Sequence, residues 1–200
     1  MVNQIYPTAL YFTNEYGSEV AIFENLIRGE FHFLTVNEID VIKSWEGFVA
    51  FSDFDQMNLI DKDGLLTETL NQIKTKSPVR TTNENILFLS QSLLNVLLTT
   101  NNLLKRQEYA HAYQSLSNVQ KYLLWLIRIA INQTNHWESP TKSLEKDIDK
   151  DWYSEFRLTT SDLDTDNLKT AFENSLNLSK KLFDELSVTA NLKRLLNRIG

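Results

Sequence analysis

Few residues in this chain have the type and spacing to do chemistry. Glu30 opens the alternating segment Glu30-Phe31-His32-Phe33-Leu34, directly after Arg28-Gly29. In an extended strand, period two places Glu30, His32 and Leu34 on one face and Phe31 and Phe33 on the other. A carboxylate on a sheet face can take a proton from a hydroxyl or hold a metal; a Glu opening a strand is also an ordinary solvated residue. Asp53-Phe54-Asp55 has the D-x-D spacing that holds Mg²⁺ on one side of a strand, with Gly47 and Ser52 nearby, but its surroundings read as loop. Asp61-x-Asp63-Gly64 matches the start of a calcium loop. The third oxygen position and the twelfth-position Glu are missing, so an Asp-Gly turn is the simpler reading. Tyr109, His111, Tyr113 and Trp125 either line a pocket between helices or pack the core, and His136-Trp137, after a helix end, reads as structural. Arg106, Arg128, Lys193, Arg194 and Arg198 form no contiguous basic stretch and read as solvated faces or helix C-terminal charges.

Composition closes several routes. The 200 residues hold no cysteine, which excludes a disulfide framework, a CxxC zinc site and a thiol nucleophile. The histidines His32, His111 and His136 are too scattered to suggest a histidine-built metal site. The five glycines form neither G-x-x-x-x-G-K nor G-x-G-x-x-G, and there is no Ser-centred nucleophile elbow. A net charge of −6 argues against a nucleic-acid partner. The longest apolar run, Tyr122 to Ile127, is six residues, against about 20 for a bilayer span. The first residues carry neither a basic n-region nor a long apolar h-region. The expectation is a soluble, cytoplasmic protein with no membrane partner.

The elements that must position these residues change character near residue 80. Before it, aromatic and β-branched runs predict three strands, 8–14 (TALYFTN), 19–25 (EVAIFEN) and 30–36 (EFHFLTV), joined by four-residue links. Gly17 and Gly29 are expected to supply the positive φ of those turns. The second strand is apolar on both faces and calls for cover on both sides. A short strand at 57–60, a turn at 61–64 and a helix over 65–74 follow, and Lys76-Ser77-Pro78 marks a boundary. Beyond it Thr81-x-x-Glu84 fits a capping box for a helix over about 82–107, whose broad apolar stripe places it at a bundle centre. A helix over about 108–133 shows the seam Ala112, Leu116, Val119, Leu123, Leu126 and Ala130. Ser139-Pro140 reads as N-cap and first residue of a polar helix over 142–151, and amphipathic segments over 168–186 and 192–199 end the chain. The fold class is therefore α+β: an antiparallel or mixed sheet domain over 1–78, then an up-and-down α-helical bundle over 79–200.

The run from Asn14 to Leu34, NEYGSEVAIFENLIRGEFHFL, resembles the lincosamide nucleotidyltransferases, which pair a nucleotidyltransferase domain with a helical bundle. Leu104-Lys-Arg-Gln-Glu-Tyr-Ala110, Ser143-Leu-Glu-Lys-Asp-Ile148 and Leu192-Lys-Arg-Leu-Leu-Asn197 fit the same family, so the resemblance covers nearly the whole chain. It implies transfer of AMP from ATP to a hydroxyl of a lincosamide antibiotic. Two Mg²⁺ ions would clamp the triphosphate, the hydroxyl would attack the α-phosphorus in line, and pyrophosphate would leave. Glu30 matches the family's catalytic base, with His32 and Arg28 in the vicinity of substrate or nucleotide. The implied partners are a small-molecule antibiotic and a nucleotide, and relatives make a homodimer plausible.

This sequence departs from the family at its metal ligands. The Gly-Ser segment and the paired D-x-D or D-x-E that should precede the Glu30 strand are absent from these 200 residues. Gly17-Ser18 falls in a hairpin turn, and Asp53-x-Asp55 comes after that strand. The expectation is an N-terminally truncated, catalytically incomplete family member. The alternative is a non-enzymatic helical binding or oligomerisation module. Glu30 on the wall of a cleft facing the bundle favours the first reading; Glu30 buried in a salt bridge or out in solvent favours the second.

Overall fold

The structure is a computed structural model that describes residues 7–46, 60–73 and 79–199. The Asp53-x-Asp55 pair, residues 57–59 of the expected short strand and the Lys76-Ser77-Pro78 break lie outside the described residues. The described residues fall into two compact units, 7–46 with 60–73, and 79–199.

The first unit opens with an antiparallel sheet of order β1-β2-β3: β1 Thr8–Thr13, β2 Glu19–Phe23 and β3 Arg28–Phe31. Asn14 builds the first turn, its Oδ1 accepting from the N–H groups of Tyr16 and Ser18 at 3.0 and 2.9 Å, and Gly17 takes φ +81°. The second turn differs from expectation. Leu26, not Gly29, carries the positive φ, at 64°, and Asn25 Oδ1 accepts from the Ile27 N–H at 3.1 Å. Gly29 lies within β3, where a Cβ would come 2.8 Å from the Phe31 ring, so the glycine there serves close approach. β3 thus starts two residues earlier than the pattern predicts and stops at Phe31. Its partner among the described strands runs out there, since Phe31 pairs with Glu19, the first residue of β2. In β2 Val20 and Ala21 point to opposite faces and both are fully buried, whereas Leu10, Tyr11 and Phe12 of β1 remain exposed.

A 3₁₀ helix over Val36–Trp45 follows, its start fixed by Glu38 Oε2 accepting from the Thr35 N–H at 2.8 Å. It packs against α1, Leu65–Ile73. Asp61 accepts from the N–H groups of Gly64 and Thr67, so the 61–64 segment is the Asp-Gly turn the sequence suggests.

The second unit is a helical bundle: α2 Asn83–Lys105, α3 Tyr109–Ala130, α4 Leu144–Asp147, α5 Lys150–Arg157, α6 Thr165–Glu185 and α7 Ala190–Leu196. The N-cap of α2 is Thr82, whose hydroxyl accepts from the Asn85 N–H, one residue later than the expected box. The apolar seam of α3 is buried from Ala112 to Leu126 and meets Leu93 and Leu97 of α2 and Leu168, Leu182 and Phe183 of α6 in one core. α2 is less central than its stripe suggests. It packs on α3, α6 and α7, yet Leu87, Phe88 and Leu98 stay exposed on a side these helices leave open.

Arg128 lies in the last turn of α3, as the helix-end reading has it, but not on a solvated face: it is 0% exposed. Its Nε donates to the Pro140 carbonyl at 2.9 Å, Nη1 to the Gln133 carbonyl at 3.2 Å and Asp147 Oδ2 at 3.0 Å, and Nη2 to the Lys142 carbonyl at 2.8 Å. His136 Nδ1 lies 2.7 Å from the same Asp147 oxygen. Those carbonyls can only reach one guanidinium if the backbone after α3 wraps around it. Residues 142–151 therefore form no single helix, Pro140 is not a first helical residue, and the chain makes a short α4 and a separate α5 capped by Asp149. Trp137, in the same wrap, stacks on Trp125 and accepts its indole N–H at 2.8 Å, which bears out the structural reading of His136-Trp137. Burial pushes the Asp147 carboxyl up, but the bonds from His136 and Arg128 outweigh it and hold the pKa below the usual Asp range.

Arg128→Ala strips the buried partners from one carboxylate and three carbonyls and should cost about 3–5 kcal/mol in chemical denaturation; a loss under about 1 kcal/mol would show that water replaces the guanidinium freely. Because the folded pKa of Asp147 is depressed, its stabilisation is complete above the unfolded value near 4 and fades as pH falls through the lower folded value. The gap in urea midpoint between the native protein and Asp147→Asn should therefore narrow from neutral pH to about pH 3. A gap independent of pH would separate the ionisation of Asp147 from stability.

Candidate functional site

Glu30 sits on β3 in the cross-strand row Phe12–Val20–Glu30, with Arg28 in the neighbouring row Leu10–Ile22–Arg28. Strand alternation points both polar side chains to one face, beside apolar residues of β1 and β2. Arg28 Nη2 donates to Glu30 Oε2 at 2.8 Å, and Asn14 Nδ2 donates to Glu30 Oε1 at 3.3 Å. His32 Nε2 lies 4.0 Å from Glu30 Oε1, although the strand has ended one residue earlier. The structure thus brings Arg28, Glu30 and His32 together. Their side chains are 54%, 34% and 70% exposed, so the cluster is a surface feature.

Its electrostatics are those of a satisfied ion pair. The Arg28 guanidinium, then the Ser18 hydroxyl, hold the Glu30 carboxyl below the usual range; slight burial opposes them and Asn14 adds to them. A carboxylate so held is ionised at neutral pH and ready to accept a hydrogen bond. Each partner that lowers its pKa also lowers its appetite for a proton, which weakens it as a base.

Among the described residues, the surroundings of Glu30 are a poor fit for a magnesium ion. Mg²⁺ is held by one or two carboxylates, with waters and phosphate oxygens completing its octahedron, and the nearest described charge to Glu30 is the Arg28 guanidinium, a cation. Among the described residues no group of three or more His, Asp or Glu side chains can hold a metal.

The other candidates are dispersed. His111 lies on the surface beside Glu108 at 3.5 Å, and Tyr113 is exposed. Trp125 stacks on Trp137 and meets Tyr122 edge to face. Tyr109, half-buried, packs against the bundle core. Sequence reasoning missed Asn14 and Ser18 as partners of Glu30. Both belong to the β1–β2 turn, and only the register of the sheet carries that turn over to β3. The available signal was Asn14 three residues before Gly17, a side chain that folds onto its own turn.

The described geometry leaves the helical unit unexplained by Glu30, and there comparison with known proteins is informative. A family model described as "Lincosamide nucleotidyltransferase-like, C-terminal domain" matches residues 82–198. The match begins at the N-cap of α2 and runs through α7. It does not include the sheet or Glu30. No curated protein matches the chain.

Arg28→Gln should raise the Glu30 pKa toward the ordinary glutamate value, read by carboxyl carbon NMR across an acid titration. The change removes the largest of the influences that depress it. An unmoved Glu30 titration would show that Arg28 does not hold this carboxylate in solution.

Proposed function

The chain belongs to the lincosamide nucleotidyltransferase-like family through its C-terminal helical domain, and from that premise we propose that it descends from enzymes that move AMP from ATP to a hydroxyl of a lincosamide antibiotic. The observation that carries this reading is the family match across the whole bundle. In the proposed division, residues 1–78 are the partial transfer domain and 79–200 the helical domain. Glu30 is the group that takes the proton of the attacking drug hydroxyl as its oxygen bonds to the α-phosphorus and pyrophosphate leaves. Arg28 and His32, at Glu30, face substrate or nucleotide. The partners are then two small molecules, ATP and the antibiotic, with a second copy of the chain in a homodimer, in the cytoplasm. The net charge of −6 speaks against nucleic acid, and no described helix is long and apolar enough to cross a membrane.

We further propose that these 200 residues on their own are catalytically incomplete. What supports this is the absence of a D-x-D or D-x-E ahead of the Glu30 strand and, among the described residues, the poor fit of the Glu30 surroundings to Mg²⁺. One observation favours the second reading, a non-enzymatic binding or oligomerisation module: Glu30 is already engaged by Arg28 in an exposed ion pair.

Incubation with ATP, Mg²⁺ and lincomycin, followed by mass spectrometry, should yield no adenylylated drug from the 200-residue chain. Clear turnover would refute the claim of incompleteness. A form extended by a Gly-Ser and D-x-D segment ahead of β1 should yield product, and Glu30→Gln in that form should slow it about a hundredfold or more. Unchanged turnover would remove Glu30 from the mechanism. An extended form that folds but neither turns over nor binds lincomycin would leave the module reading standing.

A further inference from the structure

A groove of about 760 Å³ lies in the helical unit between α2 and α6, far in sequence from Glu30. Its volume falls within the range of about 300–1,000 Å³ that holds drug-sized ligands. Helical spacing builds it. Lys169, Phe172, Leu176 and Lys180 recur on α6 at intervals of three or four residues, which brings them to one face. From α2 come Leu104 and Lys105, and Ile199 closes one end, its carbonyl accepting from the Asn101 amide at 2.8 Å.

The floor and the rim differ in character. Phe172 and Leu176 are each only 5% exposed, and with Leu104 and Ile199 they make an apolar bed. Lys105, Lys169 and Lys180 stand exposed around it. Elsewhere on α6, Lys181 is held by Glu155, and Lys193 of α7 by Asp184. The side chains of the three rim lysines make no hydrogen bond or ion pair among the described residues, and neither does that of Glu173, the one acidic residue of the lining. Three ammonium groups therefore face one carboxylate over apolar ground, on a chain whose net charge is −6. An apolar bed alone accepts any oily molecule; the uncompensated ammonium groups select its charge.

We propose that this groove binds a small organic anion with an apolar body. An alkyl or aryl body lies on Phe172 and Leu176, and a carboxylate or phosphate head is held by the lysines. The site is separate from the transfer reading and does not depend on it.

The test uses the whole 200-residue chain with three probes of equal tail length, decanoate, decyl phosphate and decanol, in calorimetry and backbone NMR. At least one anion should bind about tenfold more tightly than decanol, as two or three exposed charge pairs allow. Amide shifts should cluster at 101–105, 169–180 and 199. The two anion arms distinguish a carboxylate from a phosphate ligand. The combined variant Lys105→Gln, Lys169→Gln, Lys180→Gln changes only exposed side chains, so it should keep the native thermal midpoint while losing most of the preference for the anion. Salt near 1 M should weaken the anions and spare the alcohol. Equal affinity for decanol, shifts centred on the sheet, an undiminished preference in the lysine variant, or no binding by any probe would each overturn the proposal.

Discussion

A guanidinium removed from water must find its partners inside the protein, because an unpaired buried charge costs several kcal/mol. Arg128 meets that requirement with four bonds, three of them to backbone carbonyls of the segment that follows its own helix. The consequence is architectural. A stretch with good local signals for a continuous polar helix is bent around the cation instead, and the start of α5 is set by where the wrap ends. Asp147 closes the shell and ties in His136, so a charged cluster organises one end of the core. Arg is suited to this place, since its planar fork offers donors in several directions and keeps its charge.

The sheet unit follows the opposite rule. Its charged residues remain near water and compensate one another cheaply, as Arg28 and Glu30 do. That arrangement limits the chemistry Glu30 can perform unaided. A carboxylate that already accepts from an arginine, a hydroxyl and an amide is stabilised as an anion, whereas a base poised for proton removal needs a pKa nearer the working pH. The family relation rests on the bundle, and the sheet contributes a residue whose expected role needs further carboxylates beside it.

The groove between α2 and α6 shows a third way of treating charge. Its lysines have neither buried partners nor surface partners among the described residues, and they surround side chains that are almost fully covered. Helix geometry explains how they come together on α6. Internal packing gives no reason for their common sign.

Much of this molecule was legible from local pattern. Period two gave three strands within a residue or two of their bounds, except β3, and period 3.6 gave the seam of α3 and the amphipathic α6. Alternation paired Glu30 with His32, but Arg28 looked like a turn residue and joins Glu30 only because β3 begins two residues early. What the pattern missed depended on distant partners. Gly29 looks like a turn residue until the Phe31 ring is placed against it, and β3 ends where β2 offers nothing more to bond. Arg128 looks like a helix-end charge until residues 133–147 close over it. Periodicity is a property of neighbouring residues, so the sequence determined the elements and their apolar faces. Burial of a charge, the end of a strand and the lining of a groove are decided between segments many residues apart, and only the packed chain brings those segments within bonding distance.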